Sequence, residues 1–268
     1  MKLRLVLPLL LLAAPVSANP WLSRCLNGQG ESANLADACR RAVDYGGLSA
    51  REQAVAWTNV GVALSEMGRD GDALSAFANA QAADPRFAPI YTNRALALSR
   101  RGRDAEALED WSQAIALRPE SAEPLIGRAT LRLQSGRVEA ALQDLDRAVA
   151  VDPQSADAHY NRGVALAQLG RKDEAAQAFG QVLRIDPQDA AAHLQRGAAL
   201  LETNPQAALA DFDAAVRISP GWAAAWATRG QAQERLGRPE AASADYRRAF
   251  ELGYQAPWLN RKIEALGG

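Results

Sequence analysis

Five prolines constrain this chain more than any other feature. Pro85, Pro119, Pro153, Pro187 and Pro220 follow one another at intervals of 34, 34, 34 and 33 residues. Proline lacks the amide that a helix interior needs and clashes with the preceding turn, so each one stops a helix. The space between stops holds two helices and a turn. One such pair cannot bury its own apolar face, whereas a stack of pairs shares a continuous core. The period therefore predicts an all-α chain built by repetition, in place of the one or two ordinary domains that 268 residues suggest.

Ala156 to Asp189 (ADAHYNRGVALAQLGRKDEAAQAFGQVLRIDPQD) carries the unit in full. Gly68, Gly102, Gly136, Gly170 and Gly237 stand just after the first helix of their units, where a left-handed residue ends a helix. In the fifth unit Asn204 takes that place. Asn tolerates the left-handed conformation, and Asn204 before Pro205 also suits an N-cap. Two columns of small residues keep one face of each helix close to its neighbour. They are Gly61, Ala95, Ala129, Gly163, Gly197 and Gly230 on first helices, and Ala73, Ala107, Ala141, Ala175, Ala208 and Ala242 on second helices. Phe77, Trp111, Leu145, Phe179, Phe212 and Tyr246 fill the space beside them, as close packing without voids requires. Ser49 and Glu52 form a capping box at the start of the first complete pair.

Trp57-x2-Val60-Gly61-x2-Leu64, followed by Ala73, Phe77 and Pro85, resembles the tetratricopeptide repeat, W-x2-L-G-x2-Y, then Ala, an aromatic and Pro. The resemblance covers six units from Ala54 to Tyr254. The sixth departs, with Gly253-Tyr254 where a proline is expected. Arg-Gly after Asn, as in Asn161-Arg162-Gly163, and a Cys-containing half-repeat at the front are similar to secreted bacterial members of the family. The family's fold is a right-handed superhelical solenoid of antiparallel helix pairs. The chain then divides into residues 1–18 as a signal peptide, 19–53 as a cap with a half-repeat and the start of the first repeat helix, 54–254 as six repeats, and 255–268 as a C-terminal capping helix.

The resemblance also implies a function. First helices of this family line a concave face that binds a peptide segment. By register the lining here includes Thr58, Asn59, Val62, Thr92, Asn93, Leu96, Ile126, Thr130, Tyr160, Asn161, Val164, Leu194 and Gln195. Asn59, Asn93 and Asn161 could hydrogen-bond an extended backbone, with Ile126, Tyr160 and Leu194 as apolar contacts. The expected role is a non-catalytic adaptor of the bacterial cell envelope whose partner is a protein or peptide. The alternative is a structural subunit of one permanent periplasmic complex.

The N-terminus supports export. Lys2 and Arg4 precede a short apolar run from Leu5 to Ala14, and Val16-Ser17-Ala18 offers small residues for cleavage before Asn19. The run is well short of the roughly 20 residues that span a bilayer, so no membrane insertion is expected after cleavage. In an oxidising compartment Cys25 and Cys39, the only cysteines, read most simply as a disulfide. A metal pair or redox thiols would want CxxC spacing or a nearby His. Lipid attachment at Cys25 would want a small residue where Arg24 stands. Leu35 to Tyr45 reads as the second helix of a repeat whose first helix is missing, with Cys39 facing inward in the aromatic column.

Nothing in the composition points to nucleic acid. Thirty bases against 31 acids leave a net charge of −1, with no global field to attract a polyanion. The arginine column Arg94, Arg128, Arg162, Arg196 and Arg229 could form a basic ladder. Asp110, Asp144, Asp211 and Asp245, at constant offset in four of those five units, favour Arg–Asp pairs across each hairpin. Ala178 replaces the Asp in the fourth unit, so Arg162 either pairs with a neighbouring unit or faces solvent. His159 and His193 share a column with Trp57, Tyr91, Leu125 and Trp226, which reads as stacked packing rings more than as a metal site. No nucleophile with a partnered base and no phosphate-binding Gly-rich loop occurs, so no enzyme activity, metal or cofactor is expected.

Overall fold

The computed structural model describes residues 19–27 and 31–266. The expected signal peptide (1–18) and most of the turn-rich loop at 27–30 lie outside them. Fifteen α-helices and no strand occur among the described residues. They fall into two compact units, divided after Pro119.

The first unit holds α1 (Leu22–Leu26), α2 (Ser32–Tyr45), α3 (Ala50–Glu66), α4 (Asp70–Ala83), α5 (Ala88–Arg100) and α6 (Asp104–Leu117). Each helix from α2 onward packs on the next, and the first helices α3 and α5 also touch. The capping box at Ser49 forms as the sequence predicts. Glu52 N–H donates to Ser49 Oγ at 3.3 Å, and Ser49 N–H donates to the Glu52 carboxylate at 2.8 Å. Gly68 and Gly102 end α3 and α5 with φ of 73° and 69°, the left-handed region a Cβ disfavours.

The lead-in carries the short α1 and one long helix, α2. Leu35, Ala38, Cys39 and Ala42 are buried on α2, matching the pattern of Ala73, Ala76, Phe77 and Ala80 on α4. Cys39 is fully buried and joined to Cys25 by a disulfide with Cα atoms 4.7 Å apart. The short α1 stands where a full first helix would be, packed on both α2 and α3. The buried Asn19 amide donates to the Ala42 carbonyl at 2.9 Å and fastens the start of the lead-in to α2.

The second unit holds α7 (Ala122–Gln134), α8 (Val138–Val151), α9 (Ala156–Gln168), α10 (Lys172–Ile185), α11 (Ala190–Leu200), α12 (Pro205–Ile218), α13 (Ala223–Arg235), α14 (Pro239–Glu251) and α15 (Pro257–Leu266). Consecutive helices pack throughout, and first helices meet at α7–α9 and α11–α13. Asn204 does not adopt the left-handed conformation. Its φ is −147° and its side chain accepts from Ala207 N–H at 3.1 Å, so it is the N-cap of α12. The shortened turn removes the need for a left-handed residue.

The small–large columns meet as ring against backbone. A Cβ added to Gly163 would lie 2.7 Å from the Phe179 ring, and one on Gly61, Gly197 or Gly230 would meet Phe77, Phe212 or Tyr246 at 2.4 to 2.6 Å. All four rings are fully buried and have nowhere to go. Gly163→Leu is therefore expected to destabilise the protein by about 1–3 kcal/mol or more, read as a urea midpoint shift. A neutral effect would mean that helix pairing is in a different register.

Candidate functional site

The first helices α5, α7, α9, α11 and α13 each carry one side chain that secures them and others that remain at the surface. The arginine column does the securing. Arg94, Arg128, Arg196 and Arg229 grip Asp110, Asp144, Asp211 and Asp245 with two parallel hydrogen bonds each, at 2.6 to 2.8 Å. All four carboxylates are buried. Their hydrogen bonds hold Arg94, Arg196 and Arg229 above the ordinary guanidinium pKa, so these groups stay charged and structural. Arg162 does find a carboxylate. It donates to Asp146 at 2.6 Å, on the second helix of the preceding repeat. Arg229 adds the same backward reach, to Asp213 at 3.0 Å. Arg94, Arg128, Arg196 and Arg229 thus tie the two helices of their own repeats, and Arg162 and Arg229 also reach the repeat before.

The mixed ring column is not a stack. Tyr91 Oη donates to the Pro85 carbonyl at 2.7 Å, and Trp226 Nε1 donates to Pro220 at 2.9 Å. His159 Nε2 and His193 Nε2 lie 3.0 and 3.2 Å from the carbonyls of Pro153 and Pro187. In four repeats, then, the ring tip reaches back six residues and satisfies the carbonyl of the stop proline. His193 Nδ1 also contacts Asp211 at 2.9 Å. The sequence carried the signal: each of these residues has a polar ring atom and a proline six positions earlier. Among the described residues no three His, Cys, Asp or Glu side chains gather as a metal site would need.

The predicted lining residues separate by burial. Thr58 and Thr92 are buried, and Thr58 Oγ1 donates to the Ala54 carbonyl of its own helix. Leu194 is buried in the core of the second unit. These three lie beneath the surface, although they share one repeat column with the half-buried Ile126 and Tyr160. The asparagine amides are also engaged within the chain. Asn93 and Asn161 donate to Pro89 and Asp157, one turn back on their own helices. Asn59 donates to the Cys25 carbonyl at 2.7 Å, so α1 covers it and it belongs to the cap. The carbonyl oxygens of Asn93 and Asn161 carry no such bond.

The remaining lining residues reach the surface. In the first unit Leu96 is 42% exposed, large for a leucine, and Val62 is half-buried. In the second unit Ile126, Thr130, Tyr160, Val164 and Gln195 are half-buried on α7, α9 and α11. Tyr160 stands edge-on to Phe179 with ring centroids 5.5 Å apart, and burial raises its pKa above the ordinary phenol value. Such a surface has no reacting group. It offers apolar contacts and a few hydrogen-bonding groups, the mixture that recognises a peptide.

Tetratricopeptide-repeat family models match residues 126–190 and 173–223, and a second such model matches 223–252. The chain belongs to the tetratricopeptide-repeat proteins, and its first unit carries the same helix pairs back to α3. No curated protein sequence matches it. Its fold is similar to a tetratricopeptide repeat protein from Parabacteroides merdae, at 20% identity and TM-score 0.61, covering 92% of this chain and 99% of that one. It is also similar to Pseudomonas aeruginosa pilF, at 18% identity and TM-score 0.70, covering 81% and 98%. YrrB, described as a tetratricopeptide protein with an unusual peptide-binding site, matches at 24% identity and TM-score 0.58, covering 75% and 99%.

Proposed function

We propose that this protein is an exported, non-catalytic scaffold that holds an extended segment of a partner protein on its first-helix surfaces. The observation that carries the reading is the half-buried apolar and hydroxyl side chains on neighbouring first helices, Ile126 and Thr130 on α7 and Tyr160 and Val164 on α9. The peptide-binding site of YrrB lends the same fold a precedent. Export to the bacterial envelope is supported by the N-terminal pattern of residues 1–18 and by the Cys25–Cys39 bond, which suits an oxidising compartment. No helix among the described residues is long and apolar enough to cross a membrane.

The test is affinity capture from a periplasmic extract with the wild type and with Val164→Asp. Val164 is half-buried and packs against the core of the second unit, so the variant's urea midpoint is measured beside the capture to separate lost docking from lost stability. Loss of the captured partner in the variant is the expected result. A single stoichiometric partner retained by the variant would favour a fixed structural subunit that does not use this surface.

A further inference from the structure

The first-helix surface of the second unit ends in a cavity. Its volume is about 560 Å³, and it lies among α13, α14, α15 and the end of α11. That volume falls within the range of sites that enclose a ligand group, about 300–1,000 Å³. α15 closes it, and the backbone shows why α15 counts as a first helix. Leu259 N–H bonds to the Ala256 carbonyl at 2.9 Å, repeating the Ala225-to-Trp222 bond that opens α13, 34 residues earlier. In that register Gln231 follows Thr130 and Val164, and Lys262 follows Asn161 and Gln195. The cavity therefore continues the surface assigned above to the partner segment.

Its walls have two characters. Trp258 and Leu201 are half-buried and apolar, and Trp258 meets the buried Tyr246 ring edge-on at 5.8 Å. The polar wall holds Glu234, Arg235 and Lys262. Glu234 is already satisfied, accepting from Tyr246 Oη at 2.9 Å and from Lys262 Nζ. Arg235 is exposed and forms no ion pair among the described residues. The nearby Glu202 is taken by Lys172. With one carboxylate against two cations, the cavity has a net positive charge, and an uncommitted guanidinium stands beside an indole.

We propose that this cavity is a subsite for an acidic side chain next to an aromatic one in the partner's extended segment. The aromatic ring packs against Trp258 and Leu201, and the carboxylate takes the guanidinium of Arg235 with Lys262 behind it. This rests on the scaffold reading and adds the chemistry of the segment.

The experiment uses three fluorescein-labelled peptides with both ends blocked, Gly-Ser-Phe-X-Gly-Ser, in which X is Glu, Gln or Lys. Affinities are read by fluorescence anisotropy. The Glu peptide should bind about tenfold more tightly than the Gln peptide, and the Lys peptide more weakly still. Arg235→Gln, a change at an exposed position, should erase that preference, and Arg147→Gln, at an exposed position on the second helix α8, should leave it in place. Equal affinities for the three peptides, no binding of any, or a preference that survives Arg235→Gln would each overturn the subsite. Unselective binding that disappears in Val164→Asp would remove the subsite and keep the scaffold reading.

Discussion

Asp144→Ala is expected to destabilise the protein by about 3–5 kcal/mol, the cost of breaking a buried ion pair from one side. The Asp144 carboxylate is 3% exposed and accepts from Arg128 at 2.7 and 2.8 Å and from Arg132 at 2.7 Å. Removing it leaves two guanidinium groups partly desolvated without the carboxylate they share. The exposed neighbour Asp146 provides the contrast. Its side chain is 52% exposed against Arg162, so Asp146→Ala should cost no more than about 1 kcal/mol. Urea unfolding of both variants measures the difference. Equal, small effects would mean that the Arg–Asp column is a surface feature and does not set the register of the hairpins.

Reduction of the Cys25–Cys39 bond is expected to lower stability by about 3 kcal/mol, in the chain-entropy account of a loop of this length. Cys39 sits where later repeats place an aromatic ring or Leu, and the bond fixes α1, which also packs on α3, to α2. The Asn59 amide holds the Cys25 carbonyl to α3, so loosening the bond releases the cap from the first complete repeat as well. A lower melting temperature in dithiothreitol, absent in Cys25→Ser/Cys39→Ser, checks this. Two reactive thiols in unreduced native protein would contradict it.

The prolines, turn glycines and small–large columns were legible in the sequence because each acts through a local rule repeated at one period. A proline past the last turn bars a helix from continuing, and a ring over Gly163 needs the same missing Cβ as a ring over Gly61. The Cys39 position was legible for the same reason. What escaped were bonds that depend on side-chain direction. For Arg162 the sequence left a neighbouring unit and solvent both open, and the partner is Asp146, 16 residues before it in the preceding repeat, as Asp213 lies before Arg229. The asparagines looked available because no period reveals a bond to the helix's own carbonyl. The cavity beside α15 escaped because the sixth repeat lacks its stop proline. That break hid the return of the register in Ala256 and Leu259.

The central claim, that partners dock on the first-helix surface, is tested most directly by photo-crosslinking in living cells. A photoreactive amino acid is placed at Val164 or Leu96 on first helices, and at the exposed Arg147 on the second helix α8 as the comparison. The account predicts crosslinked partner at Val164 and Leu96 and none at Arg147. Crosslinks at Arg147 with none at Val164 and Leu96 would contradict it.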